Sequence, residues 1–230
     1  MNSIVERLKE VRCQIENACQ QCNRSPDSVQ LLAVSKTKPA TAIRQLYQAG
    51  QRAFGENYLQ EALTKQQELS DLEAICWHFI GPIQSNKTRD IAAHFDWVQS
   101  IDRAKIARRL NEQRPAELQP LQVLIQVNID DESSKSGVGP EQVAELAKYI
   151  ADLPQLTLRG LMTIPAAASS AEAQAESFAS MQRLYSALAS QYPTVDTLSM
   201  GMSNDLAPAI AAGSTMVRVG TSLFGAREKN

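Results

Sequence analysis

The chain has 230 residues, 43% of them hydrophobic and 21% charged, and its 23 Lys and Arg against 25 Asp and Glu leave a formal charge of −2. That balance excludes the dense basic face of a duplex-binding or membrane-surface protein, and 5 Phe, 2 Trp and 5 Tyr are too few for a single-strand stacking platform. No apolar run approaches the ~20 residues that cross a bilayer, and the opening MNSIVERLKE mixes charges without an apolar leader core, so a cytoplasmic location is expected.

In chain order, Ile4, Val5, Leu8, Val11, Ile15, Ala18 and Cys22 recur at three- and four-residue spacings, which predicts an amphipathic helix over Met1 to Asn23. Cys19 and Cys22 form a C-x-x-C inside that polar helix, with no second pair and no nearby His, so they read as reduced thiols and no metal is expected. Pro26-Asp27 then breaks the pattern, and Val29–Val34 follows as a compact apolar run of the kind a parallel sheet buries. Further strand-like runs fall at Arg52–Gly55, Cys76–Ile80, Phe95–Gln99, Leu121–Asn128, Thr157–Leu161, Thr197–Met200 and Met216–Val219. Helical stretches separate them, at Pro39–Ala49, Asn57–Leu69, Asn86–Ala93, Arg103–Gln113, Pro140–Ala151, Ala171–Gln191 and Asp205–Ala212, with Pro39, Pro140 and Asp102 as start signals. The Ala/Ser-rich AAASSAEAQAES over 166–177 reads as a loop opening a helix.

Strict strand–helix alternation implies an α/β fold with a parallel sheet. We expect a (β/α)8 TIM barrel with an additional N-terminal helix and a truncated final helix, with a doubly wound open sheet as the alternative. No linker divides the chain, so residues 1–230 read as one domain.

In such a barrel, chemistry belongs at the C-terminal ends of the strands. The first strand runs into Ser35-Lys36-Thr37-Lys38-Pro39. A lysine there can point into the barrel mouth, where partial desolvation lowers its pKa and makes it a Schiff-base nucleophile. The plainer reading is a solvated loop lysine, and Lys38 is the better placed for solvent. Asn57, after the second strand, either caps the next helix or presents its amide to a ligand. His78, between Trp77 and Phe79, reads as a hydrogen-bonded core residue, and with only His94 besides it a His-based metal site has little to draw on.

After the seventh strand come Ser199-Met200-Gly201-Met202-Ser203-Asn204-Asp205, whose small residues let backbone N–H groups approach an anion beside a helix start. The eighth carries Arg218, then Gly220-Thr221-Ser222. Loops after strands 7 and 8 commonly hold phosphate in barrels; two ordinary tight turns are the alternative. No GxGxxG and no P-loop occurs. A lysine facing a phosphate cradle suggests a phosphorylated aldehyde held as an imine, either pyridoxal phosphate or a phosphosugar in an aldolase.

The motifs VSKTKP, FGENYLQE, HFIGPIQSNK, LSMGMSNDL and VRVGTSLFG, in order from Val34 to Gly225, resemble those of the pyridoxal phosphate homeostasis proteins, single-domain relatives of the fold type III barrel of alanine racemase. The resemblance implies that Lys36 carries pyridoxal 5′-phosphate as a Schiff base and that Asn57 lies beside the ring. It implies that Ser199, Gly220 and Thr221, with backbone near Met200 and Gly201, hold the phosphate. Arg218 would face the pyridine nitrogen, and His78 would lie near the cofactor. An arginine there stays protonated and donates to an unprotonated nitrogen, which leaves the ring a weak electron sink.

Alanine racemase adds a β-rich domain that supplies a catalytic tyrosine, whereas here about five residues follow the barrel. The expected function is therefore non-catalytic pyridoxal phosphate binding in vitamin B6 and amino-acid balance, by a monomer whose protein partners would be pyridoxal phosphate-dependent apo-enzymes or a regulatory protein, with no nucleic acid and no membrane. The alternative is a small pyridoxal phosphate-dependent racemase or decarboxylase, for which His78 or Tyr58 would have to serve as second proton donor.

Overall fold

The computed structural model describes residues 3–130, 136–165 and 170–225. Helix α1 (Ile4–Gln21) starts with a capping box in which Ser3 Oγ accepts from Glu6 N (3.2 Å) and the Glu6 carboxylate accepts from Ser3 N (2.6 Å). It buries Leu8, Val11, Ile15, Ala18 and Cys19. Cys22 donates its thiol to the Ala18 carbonyl, and all four cysteines are free.

Eight parallel strands follow: β1 (Gln30–Val34), β2 (Ala53–Glu56), β3 (Cys76–Phe79), β4 (Trp97–Ile101), β5 (Leu121–Val127), β6 (Leu156–Thr163), β7 (Thr197–Met202) and β8 (Met216–Val219). They pair in chain order, and β8 returns to β1 in the register Gln30↔Met216 to Ala33↔Val219, which closes the barrel and excludes an open sheet. The outer layer comprises α2 (Ala40–Gln48), α3 (Leu59–Glu68), α4 (Thr88–His94), α5 (Ala104–Gln113), α6 (Val143–Ala151), α7 (Ala171–Ala189), α8 (Leu206–Ala211) and the one-turn α9 (Thr221–Phe224).

Several boundaries differ from the sequence reading, for local reasons. Strand β4 starts two residues later because Phe95 N still bonds the Ile91 carbonyl at the end of α4, and Asp96 spends its carboxylate on Trp77 N (2.8 Å). Pro140 opens a 3₁₀ turn, Pro140–Gln142, before α6 begins at Val143. The expected caps Asn57 and Asp102 do not cap: Tyr58 and Arg103 occupy those positions, and Asp102 instead accepts from Arg103 Nη1. Ser170 caps α7 through Ala173 N, as a loop opening a helix requires; positions 166–169 lie outside the described residues.

Most of the core lies between sheet and helices, around Phe54, Phe95, Phe178, Ile43 and Leu46. Each such side chain contributes roughly 1.5–3 kcal/mol through burial. Inside the barrel a second, small cluster of Leu32, Ala53 and Met216, with Ile80 packed on it, fills the lower part. Because α9 is one turn long, α1 takes the vacant place in the outer ring, packing on α2, α8 and α9. Arg7 Nε donates to the Leu223 carbonyl and Arg24 Nη1 to the Ile210 carbonyl, both at 2.7 Å. Among the described residues no helix is long and apolar enough to cross a membrane.

Candidate functional site

Lys36 follows β1 by two residues and is half-buried. Its turn is held on both sides. Ser35 Oγ donates to Glu56 Oε1 (2.6 Å), and Lys65 Nζ donates to the same oxygen and to the Ser35 carbonyl, each at 2.8 Å. Beyond Lys36, Thr37 N donates to Glu61 Oε1 (2.6 Å), which also receives Lys65 Nζ (2.5 Å). Thr37 has φ +63°, a left-handed conformation costly for a β-branched residue, and these bonds hold it there. Burial pushes the Glu56 carboxyl above the usual range, and its Oε2 has no partner among the described residues.

Arg218 stands inside the upper barrel. Its Nη1 donates to Ser199 Oγ (2.8 Å) and its Nη2 to the Thr163 carbonyl (2.7 Å). Among the described residues no carboxylate hydrogen-bonds this guanidinium; burial lowers its pKa to about 10, with Asp205 acting weakly against that at longer range. Ser199 Oγ passes its own proton to Gln99 Oε1 (2.7 Å), and Gln99 Nε2 reaches His78 Nδ1 (3.0 Å) and Met216 Sδ (3.1 Å). His78 stacks on Trp97 with centroids 5.1 Å apart, and burial pushes its pKa down to about 3. It is a neutral core residue, in agreement with the plainer sequence reading.

Asn57 directly follows β2, and its buried Oδ1 has no partner among the described residues. It borders a cavity of about 260 Å³ with Ile80, Pro82, Gln126, Asn128 and Ile164, near the lower end of small-molecule pockets (~300 Å³). Gly81 is required here, because a Cβ on it would run into the Asn57 backbone. At the β7–β8 corner, Gly220 lies against the end of β1: a Cβ there would meet the Val34 carbonyl at 3.3 Å. Ser222 N donates to Ser203 Oγ (3.4 Å), which ties the β7 loop to the Gly220-Thr221 turn. Gly201 has φ +95°, and a Cβ on it would sit 2.5 Å from Ala209 Cβ.

A model of the alanine racemase N-terminal domain matches residues 8–228. The chain belongs to that family. The curated relatives of this alanine racemase N-terminal domain protein include the pyridoxal phosphate homeostasis protein of Vibrio alginolyticus, 58% identical over 231 residues with 99% of each chain covered. That of Escherichia coli K12 is 55% identical over 230 residues, covering 99% of this chain and 98% of its own. Among solved structures, PipY of Synechococcus elongatus PCC7942 with PLP bound is 39% identical, with a TM-score of 0.84 over 97% of this chain and 100% of that one. The alanine racemase of Corynebacterium glutamicum, at 17% identity and a TM-score of 0.68, shares the fold.

Within this family barrel the expected site residues divide into groups. Lys36 and Gly220 both follow the paired strands β1 and β8, with Gly220 against Val34, two residues before Lys36. Thr221 is exposed at the rim, whereas Ser199 turns inward to Arg218 and Gln99, so its hydroxyl stands below the Gly220-Thr221 turn rather than on it. Met200 is buried on the other face of β7. Sequence reasoning missed Gln99, Thr163, Glu56, Lys65 and the tie from Ser203 to Ser222. Glu56 and Lys65 carried a weak signal: Glu56 ends a strand buried along its whole length, and Lys65 shares the buried face of α3 with Leu59 and Ala62.

Proposed function

We propose that this chain binds pyridoxal 5′-phosphate at the barrel mouth and serves vitamin B6 homeostasis, with Lys36 as the attachment point. The reading is carried by one observation: Arg218, on β8, is a buried cation whose hydrogen-bond partners among the described residues are all neutral, and β8 pairs with β1, the strand that leads to Lys36. An uncompensated buried charge is costly, and a ligand presenting an acceptor removes that cost. The residues fit the group in a second way, because the orphaned Asn57 Oδ1 lacks only a donor. The names of the curated relatives and PipY with its bound PLP support the same reading.

When bound, pyridoxal 5′-phosphate would supply an electrophilic aldehyde carbon, and Lys36 would be the amine that holds it. Arg218, protonated at neutral pH, would offer N–H donors to the ring nitrogen without giving it a proton. Gly220 and Thr221, with backbone near Met200 and Gly201 and the Ser203 hydroxyl, would form the phosphate side, whereas Ser199, expected there, has its hydroxyl engaged by Arg218 and Gln99. A general acid for turnover is poorly provided for: His78 is fully buried and neutral, and Tyr58 is 51% exposed. This supports carriage of the cofactor rather than racemisation, and the proposal is of a cytoplasmic monomer whose protein partners are apo-enzymes or a regulatory protein.

The test is the absorption spectrum of the purified protein with pyridoxal 5′-phosphate, before and after borohydride, beside Lys36→Ala. A band that vanishes on reduction, pyridoxyl mass on Lys36 and no band in the variant are expected. A wild type with no band overturns the reading.

A further inference from the structure

The interior of the upper barrel holds a chain of polar side chains in one sense of donation. Arg218 Nη1 gives to Ser199 Oγ, Ser199 Oγ gives to Gln99 Oε1, and Gln99 Nε2 gives to His78 Nδ1. His78 Nε2 then lies 3.4 Å from Cys76 Sγ. Four strands, β8, β7, β4 and β3, each supply a link, and Arg218, Ser199, Gln99 and His78 are all buried. The Gln99 amide is the pivot. Its oxygen is the acceptor that lets Ser199 face Arg218 with a lone pair, and its nitrogen is fixed by two further partners, His78 Nδ1 and Met216 Sδ. Reversing the amide would aim two donors, from Gln99 and Arg218, at Ser199 and leave the serine proton without an acceptor on this path, a buried loss.

We infer that Gln99 is a positioning residue for the cofactor site: acting through Ser199, it fixes the Arg218 guanidinium in the orientation that meets the ring nitrogen. This rests on the reading of Arg218 and Lys36 given above. His78 completes the device from below. Its burial keeps Nδ1 an acceptor across the physiological range, so the direction of donation does not reverse with pH. The groups facing His78 are Gln99 and Trp97 from β4 and the Cys76 thiol from its own strand, whose pKa burial raises to about 12; none of them is charged near neutrality.

The experiment uses the full chain with pyridoxal 5′-phosphate and reads three quantities: the dissociation constant, the pH midpoint of the absorption band, and the urea midpoint. Gln99→Met keeps the side-chain length and removes the amide. It is expected to weaken binding by on the order of tenfold and to displace the pH midpoint by at least ~0.5 unit. Gln51→Met is the stability control, since that buried amide bonds the Leu31 and Ala53 carbonyls on the opposite side of the barrel strands. It should lower the urea midpoint and leave binding and the pH midpoint unchanged. Ser199→Ala breaks the middle link and serves if Gln99→Met fails to fold; it should displace the pH midpoint in the same way, and Gln99→Met in that background should add nothing. An unchanged pH midpoint in Gln99→Met, or in Ser199→Ala, overturns the inference while a wild-type band on Lys36 leaves the site reading intact. Absence of that wild-type band defeats the site reading itself.

Discussion

Lys65 Nζ lies 2.8 Å from Glu56 Oε1 with both side chains buried, and the same ammonium reaches the Ser35 carbonyl one residue before Lys36. A buried pair of this kind adds little net stability when intact but is severe to break, because removing one partner strands the other. Lys65→Met should therefore cost about 3–5 kcal/mol in urea unfolding, and adding Glu56→Gln should recover most of it. Additive losses in the double variant would show that the two groups do not act as a pair.

Gly81 supplies a second test. With no room for a Cβ against the Asn57 backbone, Gly81→Ala should push the β2 and β3 ends apart and cost roughly 1–3 kcal/mol. It should also weaken pyridoxal 5′-phosphate binding, measured by fluorescence titration. Wild-type affinity in a folded variant would remove Asn57 from the site.

His78 gives the chain a pH signature. Its folded pKa is about 3, against an unfolded value near 6.5, so between these limits the unfolded chain takes up a proton that the folded one refuses. Stability from this group is complete above about pH 6.5 and falls by up to ~1.4 kcal/mol per pH unit below it. His78→Phe keeps a ring against Trp97 and cannot titrate. At pH 7.5 it should be less stable than wild type by ~1–2 kcal/mol, for the lost bond to Gln99. That deficit should shrink and then reverse as the pH falls toward 5, read from urea unfolding at each pH. Parallel curves would mean that His78 is not held neutral.

Arg218→Met separates folding from binding. Replacing a buried cation that lacks a carboxylate partner by an apolar chain of similar length should change unfolding free energy by less than ~1 kcal/mol in either direction. Affinity for pyridoxal 5′-phosphate should fall on the order of tenfold or more. Large destabilisation with unchanged affinity would make Arg218 a structural residue.

The barrel was readable because each strand and helix announces itself locally: apolar runs bounded by breakers, then three- and four-residue periodicity. Strand β8 falls on Met216–Val219, as the sequence reading placed it, because Gly213 and Gly220 bracket a short apolar run. Lys36, Asn57 and Arg218 were readable as strand-end residues for the same reason. The interior pairings were not. Gln99 and Ser199 are 100 positions apart, and nothing in the run Trp97-Val98-Gln99 says which polar side chain turns inward or what it meets. Glu56 and Lys65 were overlooked because charged residues default to the surface, and only the fold shows that they neutralise one another. The Asn57 cap failed because the helix waits two residues, to Leu59, while the β2 end still packs on Gly81.

Helix α1 standing in for a full-length final helix has a consequence for how the molecule is made. The bond from Arg7 to Leu223 spans 216 positions, and the apolar stripe of α1 is covered in part by α8 and α9, elements that leave the ribosome only after β7. During synthesis α1 can pack on α2 early, but the rest of its stripe waits uncovered until after β7 is made. A barrel that closes through segments this far apart in sequence pays its loop-closure cost late, so folding is expected to be slow for its size, with closure waiting on β8.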